Sequence, residues 1–306
     1  GLWEGVPLAT VLRACGMENV RRVNYWGYHN NDPTQVFRSS LSYTEVMEPA
    51  VGDPPVFLAY SLNGEPLGLE RGGPVRMIVP HAHGFKSVKW LQHVTLTNDY
   101  RASDTYASLD DVGNDPSSHL KTYTIVDDPR HTMGARTSAP VSSPRQEKVM
   151  AEFEAAAAPD VIPVEHDVVL SGVVMNGRTP VSHVEYWVRS VPAGSGVSVL
   201  KDDSPELLRA PWQRCDIQAE PADWSAALPP GTSPQSVFGI DGTGRAQRWP
   251  LPYTYVGWEV KISGLTAGDY EIRARSVDVN GFAQPEPRPV QKTGRNSIGC
   301  RRVKIV

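Results

Sequence analysis

Long apolar runs are missing from this 306-residue chain. Nothing in it approaches the ~20 consecutive apolar residues that a membrane-spanning helix requires, so no spanning helix is expected. The first residues, Gly1-Leu-Trp-Glu-Gly-Val-Pro-Leu8, have neither a basic segment nor an apolar core and do not read as a signal peptide. Cysteine is scarce, with Cys15, Cys215 and Cys300 far apart, odd in number and never in a C-x-x-C pair. That pattern excludes a zinc knuckle or dithiol motif and gives little support for a disulfide framework. The three thiols read as small buried apolar groups. Positive charge is not in excess: 30 Lys and Arg against 34 Asp and Glu leave a net charge of −4. A nucleic-acid partner is therefore not expected. No G-x-S-x-G elbow occurs and Cys15 has no neighbouring histidine, so hydrolase chemistry lacks a nucleophile.

Glycine and proline, 26 and 27 residues, are plentiful and point to many turns rather than a helical bundle. The length suits about two domains of ~100–200 residues. In the first half, Leu8, Val11, Leu12 and Cys15 recur on one helical face between Pro7 and Gly16, which suit a helix start and stop. Strands are expected at Arg22–Trp26, Val56–Leu62, Val75–Val79 and Val88–Thr97, with a polar loop at 30–33 and a hairpin turn at Asn63-Gly64. A polar connector follows, with a short helix expected at Glu147–Ala158. The second half alternates apolar and polar residues at Val181–Arg189, Trp258–Ser263 and Tyr270–Arg275, as in antiparallel strands buried on one face. An immunoglobulin-type sandwich is the economical fold for it, interrupted by an unpatterned insertion at 194–255. The division expected is 1–145 and 146–306.

His81-x-His83 lacks a third ligand at metal-binding spacing, and Asp241-Gly-Thr-Gly-Arg245 reads as a plain turn. One stretch carries more. Gly72-Gly-Pro-Val-Arg-Met-Ile-Val-Pro80 and Gly84-Phe-Lys-Ser-Val-Lys-Trp-Leu91 set Arg71, Arg76, Lys86 and Lys89 at strand ends and glycine-bearing loops. Glycine admits close backbone approach and arginine offers a planar donor fork, a combination suited to a compact anion.

The order N-G-E-P-L, G-x-P-V-R-x-x-V-P and G-x-K-S-V-K-W-L resembles the molybdenum-cofactor domain of the sulfite oxidase family. Trp3-x-Gly-Val-Pro-Leu upstream, and Gly281-Phe-Ala-Gln-Pro285 with Arg295-Asn-Ser-Ile-Gly299 downstream, are similar to flanking segments of that family. The resemblance implies an α+β molybdopterin-binding fold, partial in this chain, followed by an all-β immunoglobulin-like dimerisation domain. It implies a molybdenum-molybdopterin cofactor, oxo-transfer on a small oxyanion such as sulfite, a homodimer, and a periplasmic or other extracytoplasmic location. Arg76, Ser87, Val88 and Lys89 fall on the family's cofactor-binding positions, with Lys86 beside them. Arg71 stands where the family has a cofactor-contacting histidine, and His29 aligns with its acidic residue, which puts sulfite as substrate in question. Tyr106 is the best counterpart of the active-site tyrosine, a hydrogen-bond donor to a molybdenum-bound oxygen or the substrate, with Tyr100 as runner-up. The family's molybdenum-ligating cysteine precedes the W-x-G-V helix at which this chain begins. The residues present would thus form the second part of the cofactor site, completed by an N-terminal segment or second chain. The alternative is a non-catalytic assembly subunit that keeps the fold without the cofactor.

Overall fold

The computed structural model describes residues 1–100, 121–127, 159–284 and 298–306, less 18, 30–31, 83, 176–178, 197–199 and 201–203. Its contacts cluster into two units, Gly1–Asn114 with Pro221–Arg248, and Asp115–Glu220 with Trp249–Val306. The connector through which a 1–145 and 146–306 division would run lies largely outside the described residues, as does Glu147–Ala158.

In the first unit the helix at the start forms as α1, Leu8–Ala14, burying Leu8, Ala9 and Leu12. Each leucine so buried contributes about 2 kcal/mol. Gly16 takes the left-handed φ of 67° that ends it. Cys15 differs from the expectation: it caps the helix and is exposed. A strand the pattern did not reveal, β1 (Trp3–Pro7), precedes α1. It is followed by β2 (Arg22–His29), β3 (Asp32–Ser42), the short helix α2 (Tyr43–Met47), β4 (Phe57–Leu62), β5 (Glu65–Pro66), β6 (Arg76–Ile78) and β7 (Leu91–Thr97). Asn63 and Gly64 turn β4 into β5 with φ of 56° and 83°, the two positive values a tight hairpin turn needs. The expected loop at 30–33 is cut short because Asp32 already pairs with His29. The strand expected from Val88 begins only at Leu91, and residues 88–90 form a loop. Two sheets result: β1-β4-β5 with β6 also on β4, and β3-β2-β7. Leu8, Leu12, Val23, Tyr25, Leu41, Met77 and Val88 fill the core of this unit.

The second unit is a β-sandwich. Its strands are β8 (Lys121–Asp127), β9 (Asp160–Ile162), β10 (Val168–Met175), β11 (Val181–Val191), β12 (Gln213–Cys215), β13 (Tyr255–Ile262), β14 (Gly268–Asp278) and β15 (Cys300–Ile305). One sheet runs β13-β10-β8 and the other β12-β11-β14-β15-β9. Leu170, Val184, Trp258, Ile272 and Val303 meet between them. The one-face rule fails on β14, where Glu271 and Arg273 are buried along with Ile272 and Ala274. The burial of Glu271 is compensated: Arg189 donates to its Oε2 through Nε (2.9 Å) and through an Nη (2.7 Å). Cys215 and Cys300 are buried as expected. The Asp241 turn is also as read, with Oδ1 accepting from the Thr243 amide, the Thr243 hydroxyl and the Arg245 amide.

Candidate functional site: two glycine-bearing loops joined by cations

The expected cofactor residues come together where the loop before β6 meets the loop before β7. A 3-10 turn at Leu69–Arg71 and another at Gly84–Lys86 form the two sides. Arg76, at the start of β6, joins them. One Nη donates to the Arg71 carbonyl and the other to the Ser87 carbonyl, both at 2.9 Å. Burial, and secondarily the charge of Arg71, push its guanidinium below the ordinary arginine pKa. Its face lies 5.2 Å from the Trp3 ring.

The lysines are anchored in the same way. Lys89 Nζ donates to the Glu70 carbonyl at 2.8 Å and Lys86 Nζ to the Ser40 carbonyl at 2.7 Å. Tyr25 holds the Lys86 carbonyl at 2.8 Å. Ser87 Oγ accepts from the Val79 amide at 3.1 Å, so this hydroxyl supports the loop. Val88 lies in the core, 1% exposed, so its side chain packs away from any ligand. Arg71 stays exposed, 3.8 Å from the Glu70 carboxylate.

Donor capacity remains after these bonds. Among the described residues, neither the Val88 nor the Lys89 amide has a protein acceptor. Arg76 Nε is buried and also meets none. An ammonium has three donors, and the Lys89 bond to Glu70 uses one. Buried polar groups are normally satisfied, so a cluster of donors without acceptors on one pair of loops calls for an anionic ligand. The residues present therefore fit an anionic, phosphate-bearing group.

The other expected residues are placed less fully. His29 ends β2 two residues beyond Gly27, and Gly27 abuts Lys89 and Trp90, so His29 stands at the loop end of the strand. Its side chain lies outside the described residues, as do Tyr106 and His83. Tyr100 does not join the site. Its carbonyl accepts from Arg22 Nε at 3.1 Å, and its ring lies 4.6 Å from the Arg21 guanidinium. Arg22 pairs with Thr97 at one end of the β2–β7 ladder and Gly27 with Leu91 at the other, about 20 Å away. Among the described residues no cluster of three or more His, Cys, Asp or Glu could hold a metal ion. Sequence reasoning missed Trp3, Gly27 and Trp90 as site residues; only Trp90 lay inside the motif that signalled the loops.

Both loops lie within a segment that matches a molybdopterin-binding domain of oxidoreductases. Residues 1–106 match the family model described as "Oxidoreductase molybdopterin binding domain". The chain is 35% identical to nitrate reductase [NADH] 2 of Phaseolus vulgaris over 102 residues, 31% of this chain and 11% of that protein. It is 31% identical to mitochondrial sulfite oxidase of Drosophila melanogaster over 123 residues, 39% of this chain and 21% of that one. Residues 1–106 are thus similar to the molybdopterin-binding domain of sulfite oxidases and nitrate reductases, and molybdenum-molybdopterin is the cofactor indicated. The matched segment is a small part of these curated relatives. The sulfane dehydrogenase SoxCD of Paracoccus pantotrophus shares the fold, with a TM-score of 0.52 and 20% identity over 99% of this chain and 60% of that one.

Proposed function

We propose that this chain forms part of a molybdenum-cofactor oxidoreductase of sulfite oxidase type acting on a small oxyanion such as sulfite. The observation that carries the reading is that Arg76 Nε and the Val88 and Lys89 amides, inside the matched domain, meet no acceptor among the described residues. Bound molybdenum-molybdopterin supplies two-electron redox and oxo-transfer, chemistry that no side chain provides. The chain's own residues bind and orient. The Val88 and Lys89 amides, Arg76 Nε and the remaining Lys89 donors hold the anionic end of the cofactor. Arg71, exposed beside them, adds positive charge where an oxyanion approaches. Tyr106 donates a hydrogen bond to the substrate. The molybdenum-ligating cysteine comes from an N-terminal segment or a second chain. Relatives named for nitrate and for sulfite both support a small oxyanion without choosing between them.

Metal analysis and pterin fluorescence of the complete protein test the reading. Molybdenum and pterin in equal amounts are expected, and the absence of both refutes it. Tyr106→Phe should retain the cofactor and slow turnover, and an unchanged rate removes Tyr106 from the reaction. The β-sandwich, taken as immunoglobulin-like, serves as the homodimer contact. Sedimentation that finds only monomer at micromolar concentration would exclude that role.

A further inference from the structure

Trp90 follows the last of the expected cofactor residues and holds a conformation that its side chain disfavours. Its φ is 49°, in the left-handed region that costs a residue with a Cβ roughly 1–2 kcal/mol. Residues so strained persist where their surroundings over-determine them, commonly at ligand clamps. Several contacts do so here. The Trp90 amide donates to the Gly72 carbonyl at 3.0 Å, and its indole Nε1 donates to the Leu69 carbonyl at 2.7 Å. Gly27 of β2 comes so close that a Cβ there would overlap the Lys89 carbonyl and lie 2.6 Å from the Trp90 carbonyl. On the other side a Cβ at Gly72 would lie 2.7 Å from Lys89 Cβ. The Lys89-Trp90 peptide is thus enclosed between two glycines and tied to the 3-10 turn. Lys89, 2.8 Å from the Glu70 carbonyl and 5.5 Å from the Trp90 ring, binds the same turn a second time.

Just beyond, the chain is fixed, because Leu91 donates to the Val75 carbonyl and enters β7. An extended φ at residue 90 would therefore swing the preceding segment by roughly 170° about the N–Cα bond. The amides of residues 88 and 89 would move with it.

We infer that Trp90 is a positioning residue for the cofactor, its left-handed backbone and indole–Leu69 bond setting the Val88 and Lys89 amides toward the anionic group. This rests on the cofactor reading above and goes beyond it, since it has Trp90 act through the loop that carries the two amides. The test is hydrogen exchange at amides 88 and 89 of the complete protein, with and without bound molybdopterin. Trp90→Phe deletes the indole donor alone. Trp212→Phe is the control, deleting an indole bond of the same kind, 3.1 Å to the Leu207 carbonyl, in the second unit. Loading should slow exchange at both amides in the wild type. Trp90→Phe should lose about fivefold of that protection and of cofactor affinity, the equivalent of one hydrogen bond of ~1 kcal/mol. Trp212→Phe should lose none. Should Trp90→Phe not fold, Trp90→Asn, which tolerates the left-handed backbone, is read in the same way. Equal protection in the Trp90 variant and the wild type overturns the role of Trp90 alone. No protection in the wild type overturns the cofactor reading and this inference with it.

Discussion

Replacing Arg76 with methionine keeps an apolar stem and deletes the guanidinium, which joins the two loops and lies over Trp3. Two bonds disappear, to the Arg71 and Ser87 carbonyls, both at 2.9 Å. Hydrogen bonds from a charged donor contribute ~1.5–3 kcal/mol each. The Arg71 end is solvent-exposed, which places the sum near the lower bound, at about 3 kcal/mol. In a unit of this size that shift lowers the melting point by about 10 °C. Arg76→Lys retains a charge but only a single ammonium in place of a fork, so about half of the loss is expected. The assay is thermal melting followed by near-ultraviolet circular dichroism, with molybdenum and pterin content measured in the same preparations. Arg76→Met should lose stability and cofactor together, because the loops that carry the Val88 and Lys89 amides separate. A melting point within about 2 °C of wild type together with full molybdenum content would refute the assignment of Arg76 as the link between the loops.

Two further outcomes follow from the second unit and the thiols. Glu271, 1% exposed, is held by Arg189 and lies 3.6 Å from Arg273, so Glu271→Ala leaves buried guanidinium charge uncompensated. A loss of about 3 kcal/mol is expected from the midpoint of urea unfolding, and a loss below about 1 kcal/mol would show that water reaches these arginines. Titration with a disulfide reagent should find one reactive thiol in the folded chain, Cys15, and three after unfolding. Cys215 and Cys300 are 6% and 4% exposed, and burial raises the Cys215 thiol pKa, which lowers its thiolate fraction. Rapid reaction of two or three thiols before unfolding would contradict the burial of those two.

The strands legible in the sequence were those with one wet face. Along β13, Val256, Trp258 and Ile262 are buried while Glu259 and Lys261 reach solvent, and alternation reveals this directly. Along β14 the same alternation was visible, but its meaning changed, because Glu271 and Arg273 are buried and Glu271 meets Arg189 and Arg273 instead of water. β3 was hidden because it opens on Asp32-Pro33 and carries Arg38-Ser39-Ser40 where an apolar alternation would be sought. β1 was hidden because Pro7, its last residue, also suits a helix start. At the site, residue types and order located both loops. They could not reveal that Arg76, Lys86 and Lys89 each hold a backbone carbonyl, since such partners are set by tertiary approach. The positive φ of Trp90 was equally illegible, because nothing local asks a tryptophan to adopt it.

The return of Pro221–Arg248 to the first unit has a consequence for biosynthesis. A chain emerging from the ribosome ordinarily lets its N-terminal domain fold before the next one is made. Here the first unit does not hold all of its residues until position 248 has been synthesised, by which point most of the second unit's strands have also emerged. The strands of the first unit are complete by Thr97, but its last segment is made only after β8–β12 of the second. A truncation placed after Asn114 would yield a first unit lacking its last segment rather than a free-standing domain.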